Sequence, residues 1–128
     1  MKTPTVLIIE DSSYLAESLI DMLHIKGYNP VHCTSGTTGV ATAIEIEPDL
    51  ILLDIRLPDI DGYEVYRQVR ATAWGATANI MVLTASESTD NIAKNIDLPQ
   101  TDVLFKPDWS MQQLAEKVAE KVVVVTTK

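Results

Sequence analysis

The sequence has one cysteine, no long apolar run and no cluster of basic residues. The single cysteine, Cys33, cannot form an intramolecular disulfide, which is typical of proteins in a reducing cytosol. No apolar stretch approaches the ~20 residues that a helix needs to cross a membrane. A net charge of −8, with 10 scattered basic residues, disfavours direct binding to nucleic acid, because an acidic surface repels phosphate backbones. We therefore expect a cytoplasmic protein that binds neither membranes nor nucleic acid directly.

The length of 128 residues suits one domain and is too short for two. Apolar residues make up 46% and charged residues 22%, which predicts a compact core, so we expect a single domain over residues 1–128. Residues 122–127 form an unbroken β-branched run that one helix face cannot bury. Either this run packs against a second copy of the chain, or residues 123–128 begin a linker to an effector domain.

Short apolar runs alternate with helical patterns along the chain, which is typical of a parallel sheet covered on both faces. Five strands are predicted, at residues 5–9, 30–33, 50–53, 80–83 and 102–105. Five helices are predicted to follow them, the second carrying Val40, Ile44 and Ile46 as its apolar residues. Because crossovers between parallel strands are right-handed, the pattern predicts a doubly wound α/β fold.

Capping-box spacing occurs at the predicted start of two helices. Asp61 and Glu64 have this spacing before the third helix, and Ser110 and Gln113 have it before the fifth. We therefore expect Asp61 to be a cap residue, and Asp59 a turn residue, rather than metal ligands.

Polar side chains follow four of the predicted strands at the point where each strand ends. They are Glu10 and Asp11 after the first strand, Asp54 after the third, Thr84 after the fourth and Lys106 after the fifth. Ligands of open parallel sheets bind outside the carboxyl ends of the strands, so we expect these groups to converge. Three carboxylates this close require a cation, and all-oxygen ligands suit Mg²⁺. Asp54 can then act as a nucleophile toward a phosphoryl group, with Lys106 and Thr84 contacting the phosphoryl oxygens.

These residues match in order and spacing the pattern of the receiver domains of response regulators, and the segment from Asp54 to Gly62 resembles their phosphoacceptor loop. The resemblance covers the whole chain. It implies a flavodoxin-like three-layer (βα)₅ sandwich with a parallel five-stranded sheet in the order 2-1-3-4-5. It also implies that Mg²⁺, or Mn²⁺, binds to the carboxylates of Glu10, Asp11 and Asp54 and to the backbone carbonyl of Arg56.

The resemblance further implies a switch in two-component signal transduction. Asp54 would accept the phosphoryl group from a sensor histidine kinase or a phosphotransfer protein. The surface formed by the fourth helix, fifth strand and fifth helix would then bind an effector protein or domain. The chain would not be an enzyme beyond catalysing its own phosphotransfer and dephosphorylation.

Three further residues are expected to influence the switch. Arg56 and Ser86 flank the route by which water would reach the aspartyl phosphate, so they are expected to tune its lifetime. Pro107 is expected to follow a cis peptide bond, as is common in the family, because the Lys106 ammonium must be directed back into the site.

His24 and His32 have no acidic or cysteine neighbours at metal spacing, and we expect no phosphotransfer role for either.

Val103 departs from the family pattern, which usually has an aromatic residue three positions before the lysine. A β-branched aliphatic side chain makes no large rotation, so another residue, such as Phe105 or Trp109, would have to relay the switch, or it is weakened. The alternative is therefore a receiver-like interaction module that works without phosphorylation. A phosphatase or a flavodoxin is disfavoured, because Arg56 replaces a second aspartate and no phosphate-binding loop follows the first strand.

Overall fold

The computed structural model describes residues 3–86 and 88–122, which form one parallel sheet with helices on both faces. The strands are β1 (Thr5–Ile9), β2 (Asn29–Cys33), β3 (Leu50–Leu53), β4 (Ile80–Thr84) and β5 (Val103–Phe105), in the order β2-β1-β3-β4-β5. The helices are α1 (Ser13–Ile25), α2 (Gly36–Ile46), α3 (Gly62–Arg70), α4 (Thr89–Ile96) and α5 (Met111–Lys121). This is the flavodoxin-like doubly wound order, and the predicted fold is confirmed.

The three inner strands, β1, β3 and β4, are buried on both faces, which explains why their sequences are apolar almost throughout. Successive side chains of a strand point to opposite faces of the sheet. Leu50 and Leu52 pack with α1 and α5 on one face, and Ile51 and Leu53 pack with α2 and α3 on the other. Because both faces exclude water, polar groups of these strands can reach solvent only at the strand ends.

The α2 helix buries a different face from the predicted one. Val40 is buried as expected, but Ile44 and Ile46 are 46% and 38% exposed, so that part of the prediction was wrong. The buried face instead consists of small residues, and a Cβ atom added to Gly39 would lie 2.7 Å from the Ile9 side chain. The helix therefore lies too close to the sheet for large side chains on that face, which turns the two isoleucines toward solvent.

The two predicted capping boxes form to different extents. At α5, Ser110 accepts a hydrogen bond from the Gln113 backbone N–H, and the Gln113 side chain accepts one from the Ser110 N–H. At α3, Asp61 caps the Glu64 N–H, but the Glu64 carboxylate is hydrogen-bonded to Arg67 and Gln68. A cation one turn away thus competes successfully with the backbone for the Glu64 carboxylate.

One smaller difference lies near the end of the chain. Asp102 belongs to a 3₁₀ turn, Gln100–Asp102, so β5 begins one residue later than predicted. Val122 is buried, and the predictions for residues 123–128 lie outside the described residues. In the described ranges, no helix is both long and apolar enough to span a membrane.

Candidate functional site

The strand register places two acidic residues side by side at the carboxyl edge of the sheet. Ile9 pairs with Leu53, and the Asp54 N–H donates to the Ile9 carbonyl at 3.0 Å. Glu10 therefore follows β1 at the level at which Asp54 follows β3, and Asp11 comes next. One carboxylate oxygen from each of these three residues lies within 4.8 Å of the others. The predicted convergence of the carboxylates is confirmed.

Burial makes this carboxylate cluster electrostatically costly. Glu10 is 3% exposed and Asp54 is 6% exposed, whereas Asp11 lies open to solvent. Burial raises the pKa of Glu10, the hydrogen bond from Lys106 opposes this, and the neighbouring charge of Asp54 adds to it. Glu10 thus depends on a positive charge close by to remain ionised.

The Lys106 ammonium supplies part of that charge. Its Nζ lies 3.0 Å from Glu10 Oε1 and 3.5 Å from Asp54 Oδ2, so one cation contacts two carboxylates. Three ionised carboxylates and one ammonium still leave an excess of two negative charges. An exposed edge at Asp11 and an all-oxygen donor set fit a hydrated divalent cation such as Mg²⁺.

Arg56 begins the loop that leaves the site. Its backbone N–H donates to Asp54 Oδ1 at 3.3 Å, and its side chain is exposed. The main chain of Arg56 therefore lies directly beside the Asp54 carboxylate, while the guanidinium group makes no ion pair within the described residues.

Thr84 and Ser86 lie at the carboxyl end of β4, the strand that pairs with β3 on the side away from β1. Thr84 ends β4 and is 2% exposed, and its hydroxyl oxygen accepts a hydrogen bond from the Ser86 N–H at 3.0 Å. The Ser86 hydroxyl in turn accepts one from the Ser88 N–H at 3.2 Å. Both hydroxyl groups keep a proton to donate, so each can still contact an incoming oxygen.

The peptide bond between Lys106 and Pro107 is trans, and the predicted cis bond is wrong. Lys106 opens a short 3₁₀ turn, Lys106–Asp108, in which the proline occupies the first turn. From this turn the ammonium already contacts Glu10 and Asp54. The cis geometry is therefore not needed to direct the lysine into the site.

Val103 is fixed in the interior, at 4% exposure, rather than standing at the surface. It packs in the cluster that contains Ile92 and Ile96 of α4. A groove of about 310 Å³ lies beside it, and the half-buried side chains of Phe105 and Trp109 help to line this groove. Any rotation on this surface therefore has to come from the aromatic residues and not from Val103.

Two contacts of the site were missed from the sequence. The His32 ring lies 2.7 Å from the Glu10 backbone carbonyl, so its Nε2 carries the proton that is donated. The pairing of Ile8 with His32 across β1 and β2 could have indicated this contact. Asp59 also caps the first turn of α2, beside the N-cap residue Ser35, since its two oxygens accept the backbone N–H groups of Gly36 and Thr37.

Cavity size does not mark this site. A groove of about 780 Å³ lies between α3 and α4, where Tyr63, Tyr66 and Arg70 are among its lining residues. Neither Glu10, Asp11, Asp54 nor Lys106 lines it. The concentration of buried charge at the carboxyl edge of the sheet, and not volume, singles out the candidate site.

Sequence comparison agrees with this geometry. The response regulator receiver domain family matches residues 6–119. The chain is 32% identical to the DNA-binding dual master transcriptional regulator RpaA of Synechocystis. That alignment covers 90% of this chain and 47% of RpaA. The chain is 34% identical to the probable transcriptional regulatory protein SilR of Salmonella typhimurium, in an alignment that covers 80% of this chain and 44% of SilR. The chain thus spans about half the length of these curated relatives.

Structural comparison gives the same result over nearly the whole chain. The receiver domain of a sensor histidine kinase from Pseudomonas aeruginosa, solved with a magnesium ion coordinated in its active-site cleft, is 27% identical with a TM-score of 0.84. That alignment covers 96% of this chain and 100% of the other. A candidate response regulator from Chloroflexus aurantiacus is 29% identical with a TM-score of 0.85, at the same coverage.

Proposed function

The chain belongs to the response regulator receiver domain family of two-component systems, and we propose that Asp54 is its phosphoacceptor in a Mg²⁺-dependent reaction. The observation that carries this proposal is the joint contact of Lys106 with Glu10 and Asp54 inside the three-carboxylate cluster. A receiver domain is a signalling domain. We propose that the only reactions it catalyses are its own phosphorylation and dephosphorylation.

The proposed reaction is an in-line phosphoryl transfer. An Asp54 carboxylate oxygen attacks the phosphorus, forming a P–O bond, while the P–N bond of the donor phosphohistidine breaks and leaves its electron pair on the imidazole nitrogen. When bound, Mg²⁺ would neutralise charge on the carboxylates and on the phosphoryl oxygens. Glu10, Asp11, Asp54 and the Arg56 carbonyl are the ligands that we propose.

Two side chains are proposed to stabilise the phosphorylated state. The Lys106 ammonium, now shared between Glu10 and Asp54, can contact a phosphoryl oxygen, and the Thr84 hydroxyl can donate to another. We propose that Arg56 and Ser86 set the phosphate lifetime from either side of Asp54, and that Pro107 contributes by fixing the turn after Lys106.

The proposed partners follow from the family. A sensor histidine kinase or a phosphotransfer protein would supply the phosphoryl group in the cytoplasm. The α4–β5–α5 surface would then bind an effector protein or domain, which fits the DNA-binding regulators among the longer relatives. We also propose that residues 1–128 form a single domain and that this domain can form a homodimer.

The test is phosphorylation without a kinase. The protein is incubated with acetyl phosphate and Mg²⁺, and its intact mass is measured; we expect a gain of about 80 Da. The gain should disappear with a chelator and in Asp54→Asn, which keeps the shape of the side chain but removes the nucleophile. No gain, or a gain that persists in Asp54→Asn, would contradict the proposal.

Val103 supports a second candidate function. Because it is held inside the α4 cluster, phosphate on Asp54 has no aromatic side chain at that position through which to change the α4–β5–α5 surface. The chain could then act as an interaction module whose partner binding does not depend on phosphorylation. Partner affinity that is equal for phosphorylated protein and for Asp54→Asn would favour this second function.

A further inference from the structure

The loop that follows Asp54 is hydrogen-bonded to the start of α2 through the carboxylate of Asp59. Asp59 Oδ1 accepts the Gly36 backbone N–H at 2.8 Å, and Asp59 Oδ2 accepts the Thr37 N–H at 2.9 Å. Both N–H groups belong to the first turn of α2, where helix geometry leaves them without internal partners. The carboxylate therefore connects the Asp54 loop to α2 by two charge-assisted hydrogen bonds.

Close backbone contact accompanies these hydrogen bonds. A Cβ atom added to Gly36 would lie 2.6 Å from the Ile60 carbonyl oxygen and 2.6 Å from Ile60 Cγ1. Ile60 also packs on the cluster formed by β1, β3, α2 and α3. The loop thus rests directly on the start of α2, and Asp59 is the polar part of that contact.

The far end of the loop closes back on Asp54 itself. The Gly62 N–H donates to the Ile55 carbonyl at 2.7 Å. A Cβ atom at Gly62 would lie 2.5 Å from the Asp54 carbonyl oxygen. Arg56, Leu57 and Pro58 lie between these two attachments, and the Arg56 N–H is hydrogen-bonded to Asp54 Oδ1. We infer that the position of the Arg56 main chain depends on both attachments as well as on this hydrogen bond.

We propose that Asp59 is a positioning residue for the metal site, holding the Arg56 backbone carbonyl where it can bind the cation. The inference rests on the proposed function, because it concerns the same Mg²⁺. Asp59 does not touch the ion; it acts by fixing the loop on α2, as groups behind metal ligands commonly do. Asp59, which the loop sequence indicates only as a turn residue, would thus have a role in cation binding.

The ionisation of Asp59 is consistent with this role. Hydrogen bonds from the Thr37 hydroxyl first, and then from the backbone N–H groups of Thr37, Ile60 and Gly36, hold the pKa of Asp59 well below its ordinary value. The carboxylate is therefore charged across the physiological pH range, and the attachment is permanent rather than a pH switch.

The test compares Mg²⁺ affinities, measured by calorimetry, in variants that separate position from charge. Asp59→Ala removes the charge and both hydrogen bonds, whereas Asp59→Asn removes the charge but keeps one acceptor oxygen. The matched control is Asp49→Ala, because Asp49 also accepts a backbone N–H, from Thr5 at 2.8 Å, but at the opposite edge of the sheet. Circular dichroism and urea unfolding report whether each variant is folded.

We expect Asp59→Ala to weaken Mg²⁺ binding by about tenfold, Asp59→Asn to weaken it less, and Asp49→Ala to leave it unchanged. Gly36→Ala retains the Asp59 charge but displaces Ile60, so it should also weaken binding, and it keeps the test decisive if Asp59→Ala does not fold. If Asp59→Ala and Asp59→Asn lost Mg²⁺ affinity equally, the effect would come from the charge of Asp59 and not from its hydrogen bonds, and the inference would be overturned. Wild-type Mg²⁺ affinity in Asp59→Ala would also overturn it. Either result leaves the proposed function intact, whereas a wild-type protein that binds no Mg²⁺ overturns both.

Discussion

The Lys106 ammonium lies closer to Glu10, at 3.0 Å, than to Asp54, at 3.5 Å. Glu10 is also the most deeply buried of the three carboxylates, so the lysine is drawn to the group whose ionisation is most costly. Asp54, the proposed phosphoacceptor, therefore makes the longer ion pair with Lys106. A phosphoryl group on Asp54 can recruit this ammonium without breaking a short contact between Lys106 and Asp54.

Replacing Lys106 by Met should destabilise the protein in a pH-dependent way. Burial raises the pKa of Glu10 and Lys106 counters it, so the variant has a still higher folded-state pKa there. The folded state then binds a proton more readily than the unfolded chain, and unfolding free energy falls as pH rises from the unfolded to the folded pKa. We expect a loss of about 2–3 kcal/mol at pH 7, discounted for the partial exposure of Lys106, and a smaller loss near pH 5.

The measurement is urea unfolding at both pH values with a chelator present. Lys117→Met is the control, because within the described residues Lys117 pairs with the exposed Glu120 alone, at 3.8 Å. This substitution should change stability by less than about 1 kcal/mol. A loss in Lys106→Met that is the same at pH 5 and pH 7 would contradict the assignment to Glu10.

Mg²⁺ should stabilise the folded protein, and Asp11 should be required for this. A ligand that binds only the folded state adds about 2.7 kcal/mol at a concentration of 100 Kd. Because Asp11 is exposed, Asp11→Asn should leave metal-free stability nearly unchanged while removing most of the Mg²⁺ effect. Thermal unfolding over a Mg²⁺ series measures both quantities. Equal stabilisation of Asp11→Asn and wild type would exclude the proposed ligand set.

The ion pair between Asp102 and Lys121 should contribute more to stability than the other ion pairs outside the site. Asp102 is buried directly before β5, and its Oδ2 lies 2.8 Å from Lys121 Nζ at the end of α5. Asp102→Ala should cost about 2–3 kcal/mol, less than for a fully buried pair because Lys121 keeps access to solvent. Glu120→Ala, in a surface pair on the same helix, should cost under 1 kcal/mol. Similar losses in the two variants, measured by urea unfolding, would contradict this ranking.

The sequence was sufficient to predict the strands and the acidic cluster because both follow from local patterns and parallel topology. Residues 50–53 form an uninterrupted apolar run, so a strand buried on both faces was the simplest interpretation, and it was correct. Once the strands are parallel, their carboxyl ends must share one edge. Asp54 and Glu10 are neighbours because β1 also pairs with β3, an order that the resemblance to receiver domains implies and that parallel strands alone do not.

The errors concern features that depend on distances between elements. The exposure of Ile44 follows from how closely α2 approaches Ile9, which the α2 sequence alone does not specify. The bond before Pro107 is trans, and from this geometry the Lys106 side chain still reaches Glu10 across the edge of the sheet, a distance that the local sequence does not specify. Asp59 has the local pattern of a turn residue, and its role as a cap requires that Gly36 be brought close to it by the fold.

Val103 allows a direct test of how far this receiver departs from the family. Restoring an aromatic residue with Val103→Tyr places a large ring among Ile92, Ala93 and Ile96 of α4, where a buried valine now fits. If the ring remains inside, we expect a loss of about 1–3 kcal/mol in unfolding free energy, as for other overpacked cores. If it turns out into the groove beside Phe105, stability should stay near that of the wild type.

Val103→Ile is the control for Val103→Tyr, since it adds one methylene without an aromatic ring. The fluorescence of Trp109, which lines the same groove, should change in Val103→Tyr only if the ring enters that groove. Trp109→Phe leaves Trp74 as the remaining tryptophan and so gives the background signal. Wild-type stability together with unchanged Trp109 fluorescence would contradict both placements and would mean that the packing around Val103 is looser than its burial implies.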